Sequence, residues 1–371
     1  MQNESRKVSS TYMEWAKLQS AAQFNLATSG IMNVQTPEFP RVAEALAINS
    51  PGGYGFQPLQ QRLAQHAGAP VECVVAAAGT SMANHLAMAA LLQPGDEVLI
   101  EQPAYGLLLE VASYLGARVK RLERPFENGF GVDVAELADA MTADTRLVVL
   151  TNMHNPSGAL LNAQTLRQVG ELAVERGVRV LVDEVYLEML FDGPPSASFA
   201  IGQQLAGESD NPFVVTSSLT KGYGLSGLRC GWILAAPKLA HRMWRLNDLF
   251  GANAAHPAEQ LSVVAFNEIE LFRARAKEIL ATNRPMLDEF LDSRADLACV
   301  RPPAGTVVFP QLPHGDAEGF SALLRARFET SVVPGRFFEM PQHFRIGIGG
   351  DAAELREGLS RIAVALDQYL S

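Results

Sequence analysis

The 371-residue chain has only three cysteines, Cys73, Cys230 and Cys299, spaced too widely for a disulfide framework or a metal-binding cluster. A reducing compartment is therefore the expected setting, and with it a cytoplasmic location. No apolar run approaches the ~20 residues that cross a bilayer. The first seven residues, Met1 to Lys7, lead into no apolar signal-peptide core, so neither a leader nor a membrane partner is expected. Basic residues are also short: 30 Lys and Arg stand against 40 Asp and Glu, and the net charge of -10 argues against a nucleic-acid surface. No G-x-G-x-x-G follows the early strand-like runs, which argues against a nicotinamide-binding Rossmann unit. There is no internal repeat and no low-complexity tract. The chain instead has 48% hydrophobic and 19% charged residues, a composition of compact globular proteins, in a length that exceeds one ordinary core and calls for two domains.

Short apolar runs alternate with helical patterns over the first two thirds of the chain. The runs begin at Cys73, Glu97, Ala117, Leu147, Arg179, Phe213 and Trp232. Continuous apolar strands separated by helices predict a mostly parallel seven-stranded sheet covered on both faces. From about residue 238 the pattern changes to long helices, with strand-like stretches at 304–310 and 343–349. The fold class is therefore α/β, a large domain with a mostly parallel seven-stranded sheet flanked by helices, plus a smaller α+β domain. The expected partition is an N-terminal arm and part of the small domain at 1–40, the large domain at 41–250 and the small C-terminal domain at 251–371. Residues near 11 to 24 read as a short amphipathic helix of the arm.

Ligands of parallel sheets bind beyond the carboxyl ends of the strands, and polar clusters occupy those ends here. Gly79-Thr80-Ser81 follows the first strand and opens a helix. It is either a plain N-cap or an anion site, since free backbone N–H groups and the helix dipole favour negative charge. Tyr105, after Pro103, is a loop aromatic over the core or a stacking surface. Asn155 lies in Asn152-Met153-His154-Asn155-Pro156-Ser157-Gly158, where His154 reads as a loop histidine without function, with an added polar contact as its alternative. Asp183 ends the run Val180-Leu181-Val182, where a carboxylate is costly unless paired, and alternation aims Glu184 the other way. Arg345 sits between Phe344 and Ile346, as a surface ion pair or as a buried fork for a carboxylate.

The stretch from Ser217 to Gly231 organises the rest. It follows the strand-like Phe213-Val214-Val215-Thr216, and its glycines and serines predict irregular turns rather than helix. Lys221 stands at the strand end and Arg229 eight residues on. An amine near apolar groups and other cations loses proton affinity, and a neutral amine attacks carbonyls. The bland alternative is a surface lysine at a strand-to-loop junction. Ser218-Leu219-Thr220-Lys221 and Gly227-Leu228-Arg229-Cys230-Gly231 resemble the Schiff-base lysine signature of class I/II aminotransferases, the fold type I pyridoxal 5'-phosphate (PLP) transferases of the aspartate aminotransferase superfamily. Cys230 fills a slot more often aliphatic.

The resemblance spans about residues 25 to 365 and implies roles for these positions. Lys221 carries PLP and moves the proton between substrate and cofactor. Asp183 pairs with the ring nitrogen, Tyr186 and Asn155 hold the ring oxygen, and Tyr105 stacks on the ring. Gly79, Thr80, Ser81, Ser218 and Arg229 seat the phosphate, joined by Tyr54 from a second subunit of a homodimer. Arg345 takes the substrate carboxylate with Asn155, and Gly30 lines the substrate pocket, with a plain turn glycine as its alternative. The implied reaction is amino-group transfer between an amino acid and a 2-oxo acid. β-Elimination by a C–S lyase or a cyclising synthesis on the same cofactor is the first rival. A PLP-sensing transcription regulator is a second, disfavoured by the acidic charge and by the few residues ahead of the domain.

Overall fold

The computed structural model describes residues 8–42, 46–50, 52–191, 193 and 197–370. The leader-free reading of Met1 to Lys7 lies outside them, as does the start of the expected arm. The strands in chain order are β1 (Phe24–Asn25), β2 (Val74–Ala78), β3 (Glu97–Gln102), β4 (Arg118–Glu123), β5 (Thr145–Thr151), β6 (Arg179–Asp183), β7 (Phe213–Ser218), β8 (Cys230–Leu234), β9 (Val307–Val308), β10 (Thr330–Ser331), β11 (Val333–Pro334) and β12 (Phe344–Gly347).

Seven of them form one sheet in the order β2-β8-β7-β6-β5-β3-β4. The β7-β6-β5-β3-β4 pairs are parallel, and β8 runs antiparallel to both its neighbours. All seven sequence-derived strands are present. Alternation along them splits two cores. Val148, Leu150, Val180, Val182, Phe213 and Val215 face one way, against the helix Ala163–Arg176. Leu147, Val149, Leu181, Val214 and Ile233 face the other, against the helix Gly79–Leu91. Burial on both faces is what makes these strands read as unbroken apolar runs.

A smaller three-stranded sheet, β11-β12-β9, is antiparallel throughout. Phe344, Ile346 and Val308 pack it against Leu287, Phe290 and Ile362 of the helices Ile269–Ser293 and Ala352–Leu370. The stretch 304–310 keeps only two residues in strand geometry. The helix expected near 11 to 24 ends at Leu18. Beyond it the chain turns to a different partner: Phe24 and Asn25 lie parallel to Thr330 and Ser331. Ser10 caps that helix by accepting from the Met13 amide. Its Tyr12 and Trp15 are buried against Phe337 and Phe338, a contribution of about 1.5–3 kcal/mol for each fully buried large apolar side chain. This docking lays the helix across the carboxyl ends of the large sheet.

Candidate active site

Every sequence-derived site residue except Gly79, Tyr54 and Arg345 lines one cavity of about 650 Å³ at those strand ends. Gly79 lies just behind its wall and opens the helix after β2. Its φ of +77° is a left-handed value, and a Cβ there would collide with the Arg229 guanidinium. Arg229 donates to Ala78 O at 3.2 Å and Ser226 O at 3.3 Å, which points it at the helix start. Thr80 Oγ1 donates to Ser218 Oγ at 2.8 Å, and Ser81 is exposed on the cavity wall. These groups together form a cationic and hydroxylated cradle at a helix N-terminus.

The lysine stretch departs from its expectation. Leu219–Tyr223 is a five-residue helix and not an irregular loop. Ser218 caps it by accepting from the Thr220 amide at 3.3 Å, and Gly224, with φ +68°, ends it. Gly222 lies inside it, where a Cβ would press at 3.1 Å on Glu188 Cβ. The helix holds Lys221 with its amine 2.9 Å from Ser29 Oγ. Tyr186 OH also donates to Ser29 Oγ at 2.9 Å. Burial draws the amine below its ordinary value, and the Arg345 and Arg229 guanidinium groups act in the same direction. Gly30 faces Lys221 so closely that a Cβ would sit 3.3 Å from both its Cα and its Cδ. A side chain at 30 would therefore press on the lysine, which would have to give by a few tenths of an ångström.

Asp183 ends β6 between Thr151 and Thr216 on the neighbouring strands. Its Oδ2 accepts from Asn84 Nδ2 at 2.8 Å and its Oδ1 from the Val185 amide at 3.1 Å. Asn84 in turn accepts from Thr216 Oγ1 at 2.6 Å. Burial pushes the Asp183 carboxyl up to about 6, so a cation arriving beside it gains a strongly favourable partner. Tyr105 lines the opposite wall, edge-on to Tyr12 at 5.5 Å.

Arg345, only 1% exposed, lies behind the wall. It donates to Asn155 Oδ1 at 2.8 Å, Tyr12 OH at 3.2 Å and Ala27 O at 3.0 Å. Tyr54 is outside the cavity, half exposed, with its hydroxyl 3.2 Å from Asp248 Oδ2.

His154 is not an idle loop residue. It is fully buried: Pro103 O can only accept, so Nε2 donates to it at 2.9 Å and Nδ1 accepts from Ser157 Oγ at 2.6 Å. Burial, with Arg124 adding to it, holds the ring well below its ordinary value and therefore neutral. It ties the loop of Asn155 to the loop of Tyr105.

Ser29, Asn84 and Tyr12 went unread in the sequence. The only local signal was for Asn84, a lone amide among Ala, Met and Leu in an apolar helix.

Glu184 points to the other face, as alternation requires. Its Oε1 accepts from the Ser198 hydroxyl and from the Ser198 amide at 3.1 Å, while Oε2 has no partner among the described residues. Burial pushes its carboxyl up to about 8. The folded chain keeps this proton up to that pH, whereas an unfolded glutamate loses it near 4.5. Between those values the folded state binds more protons, so stability falls as pH rises. Glu184→Gln is expected to match the parent near pH 4. It should then gain on it through pH 8 and level off, roughly 3–5 kcal/mol ahead. Urea midpoints measured from pH 4 to 9 check this, and a gap independent of pH would contradict it.

An electron-sink site is thus defined by an amine whose proton affinity burial lowers, a buried carboxylate 99 residues from its Asn84 donor in sequence, and an anion cradle at a helix start. The residues fit PLP: Arg229 and the Gly79 helix end could hold its phosphate, Asp183 its ring nitrogen and Lys221 its aldehyde carbon. A family model described as aminotransferase class I and II matches residues 28–362. Capreomycidine synthase of Streptomyces vinaceus is 31% identical over 81% of this chain and 76% of its own. The arginine–pyruvate transaminase of Pseudomonas aeruginosa is 31% identical over 85% and 82%. Among solved structures, a PLP-dependent aminotransferase from Streptococcus suis superposes with a TM-score of 0.87 at 23% identity, covering 96% of this chain and 97% of that one. The chain belongs to the class I and II aminotransferase family. It is a PLP-dependent transaminase of fold type I, whose substrates are amino acids and 2-oxo acids, and among its described residues no helix is long and apolar enough to cross a membrane.

Proposed function

We propose that this enzyme transfers the amino group of an α-amino acid to a 2-oxo acid, with Lys221 as the residue that carries PLP and shuttles the proton. The observation that carries the reading is the Lys221 amine, lowered by burial and held 2.9 Å from Ser29 Oγ inside the cavity. When bound, the cofactor supplies an electron sink for charge developing at the substrate α-carbon. With PLP bound, Asp183 would keep its ring nitrogen protonated, because the buried carboxylate favours a cation beside it. Tyr186 and Asn155 would hold the ring oxygen, Tyr105 would stack on the ring, and Thr80, Ser81, Ser218 and Arg229 would hold the phosphate. Arg345 receives the α-carboxylate and Gly30 leaves room for it. The amine of Lys221, freed by substrate, takes the α-proton as general base and returns it as general acid.

The reading includes a homodimer in which Tyr54 serves the other subunit. Its support is a set of exposed apolar side chains close to Tyr54 and to Asp248 in sequence, Leu46, Ile48, Leu249 and Phe250. It also includes a cytoplasmic setting, supported by three cysteines that form no disulfide, two of them buried.

The test is a visible spectrum of the holoenzyme before and after single amino acids, with arginine and pyruvate as the first pair because of the relative that uses them. Bleaching of the cofactor band to that of pyridoxamine phosphate, restored by a 2-oxo acid, is the expected result. Release of ammonia and pyruvate without that conversion moves the assignment to a C–S lyase. A ring-closed product with no need of an acceptor moves it to a cyclising synthase.

A further inference from the structure

The cavity carries charges of both signs. It has Lys221 and Arg229 on the wall and Arg345 behind it. Lys221 and Arg229 are the only lysine and arginine among its described lining residues, and the same wall also carries Met13, Trp15 and Ala16, from the helix Thr11–Leu18, together with Asn25, Asp351 and Glu354. Asp351 starts the helix that ends the chain, and its Oδ1 accepts from the Ala353 and Glu354 amides at 2.8 and 3.0 Å. Capping thus occupies one oxygen of Asp351 and none of Glu354. Both side chains are exposed to the cavity mouth, and neither forms an ion pair with a described lysine or arginine.

An amino acid that enters with its carboxylate towards Arg345 and its α-carbon at Lys221 must set its side chain against the rest of this wall, which carries the three apolar side chains and the two carboxylates. We infer that the enzyme selects amino acids whose side chain is an aliphatic stem ending in a cation, and that Glu354 and Asp351 are the residues that read it. This rests on the transamination reading above. The stem lies on Met13, Trp15 and Ala16, where methylene groups leave water. The cationic tip meets Glu354 and the free oxygen of Asp351 in charge-assisted hydrogen bonds. A dicarboxylic side chain would bring a third negative charge to the same place, and a neutral one would leave both carboxylates without a partner.

Arginine and citrulline separate this from shape alone, because they share a stem and a planar tip and differ in charge. The measurement is kcat/KM for the two donors with pyruvate, in the holoenzyme and in Glu354→Gln, Asp351→Asn and the double variant. Glutamine keeps the helix-start position polar, and asparagine keeps the cap. Retention of the Lys221-dependent visible band shows that each variant is folded and loaded. The parent is expected to favour arginine by about tenfold or more, the scale of one hydrogen bond to a charged group. Each single variant should lose more on arginine than on citrulline, and the double variant should bring the ratio near one. Equal use of the two donors by the parent overturns the inference, as does a ratio that survives the double substitution. Turnover of aspartate or glutamate in preference to arginine overturns it too, with transamination left standing. If no donor converts the cofactor band at all, the transamination reading falls first and this one with it.

Discussion

Lys221→Ala is expected to abolish the visible band that PLP gives with the protein and to lower transamination by about 10⁴-fold or more. The size follows from the wall of the cavity. Lys221 is the only lysine among its described lining residues, and the groups around its amine, Ser29 Oγ and Tyr186 OH, are hydroxyls that burial does not make basic. No neighbour can take over proton transfer at the α-carbon. Lys221→Arg keeps the charge and should fail as badly, because a guanidinium stays protonated in proteins and so offers neither nucleophile nor base. The alanine variant leaves a gap against Gly30, where a Cβ would come within 3.3 Å of the lysine Cδ. Methylamine added to it should restore a measurable part of the rate, rising with the fraction of free base and hence with pH. A Lys221→Ala enzyme that keeps the band and a hundredth of the activity would remove the lysine from its role, whatever the fold says.

What the sequence showed of this site divides along one physical line. Residues whose place depends on strand ends were legible. A buried parallel strand must be apolar along its whole length, so its end is marked by the first polar residue, and Asp183, Asn155, Ser218 and the Gly79 turn all follow that mark. Residues whose place depends on a distant segment were not legible. Ser29 reaches Lys221 only because Phe24 and Asn25 pair with Thr330 and Ser331 across the chain. Tyr12 reaches Arg345 only because its helix docks on Phe337 and Phe338. The pattern near residues 11 to 24 carries neither fact, and it also overstated the helix. The short helix at Leu219–Tyr223 was missed for a local reason. Glycine and serine content suggests a helix breaker, although Ser218 acts as a cap and Gly224 as a stop, the two places where those residues favour a helix. His154 looked idle because its partners, Ser157 Oγ and Pro103 O, lie on a turn and on another strand's loop.

Arg345→Gln is expected to raise KM for the amino acid about 10²–10³-fold, the scale of truncating one member of a buried, hydrogen-bonded charge pair. The guanidinium cannot follow a substrate outwards, because it is fixed on three sides by Asn155 Oδ1, Tyr12 OH and Ala27 O, and its strand is paired on both edges at Val333 and Val308. Of its nitrogens only Nε is without a partner among the described residues. A carboxylate that reaches Arg345, or takes over one of these contacts, therefore meets a cation already desolvated and already held, and little ordering of the arginine remains to be done on binding. Arg345→Lys should fall between parent and glutamine variant. A lysine supplies the charge, but it cannot hold Asn155, Tyr12 and Ala27 at once or present a two-pronged edge. The same three contacts make Arg345 a tie between the N-terminal helix and the Asn155 loop, so melting temperature will fall in both variants. Stability alone does not explain a KM effect that depends on the carboxylate. The deciding comparison is the donor against its decarboxylated amine, which has no group for Arg345 to hold. The glutamine variant should be penalised at least tenfold more on the amino acid than on the amine. A penalty equal for both would show that the arginine acts only through the packing of Tyr12 and Asn155, and the substrate carboxylate would then have to be held elsewhere on the wall.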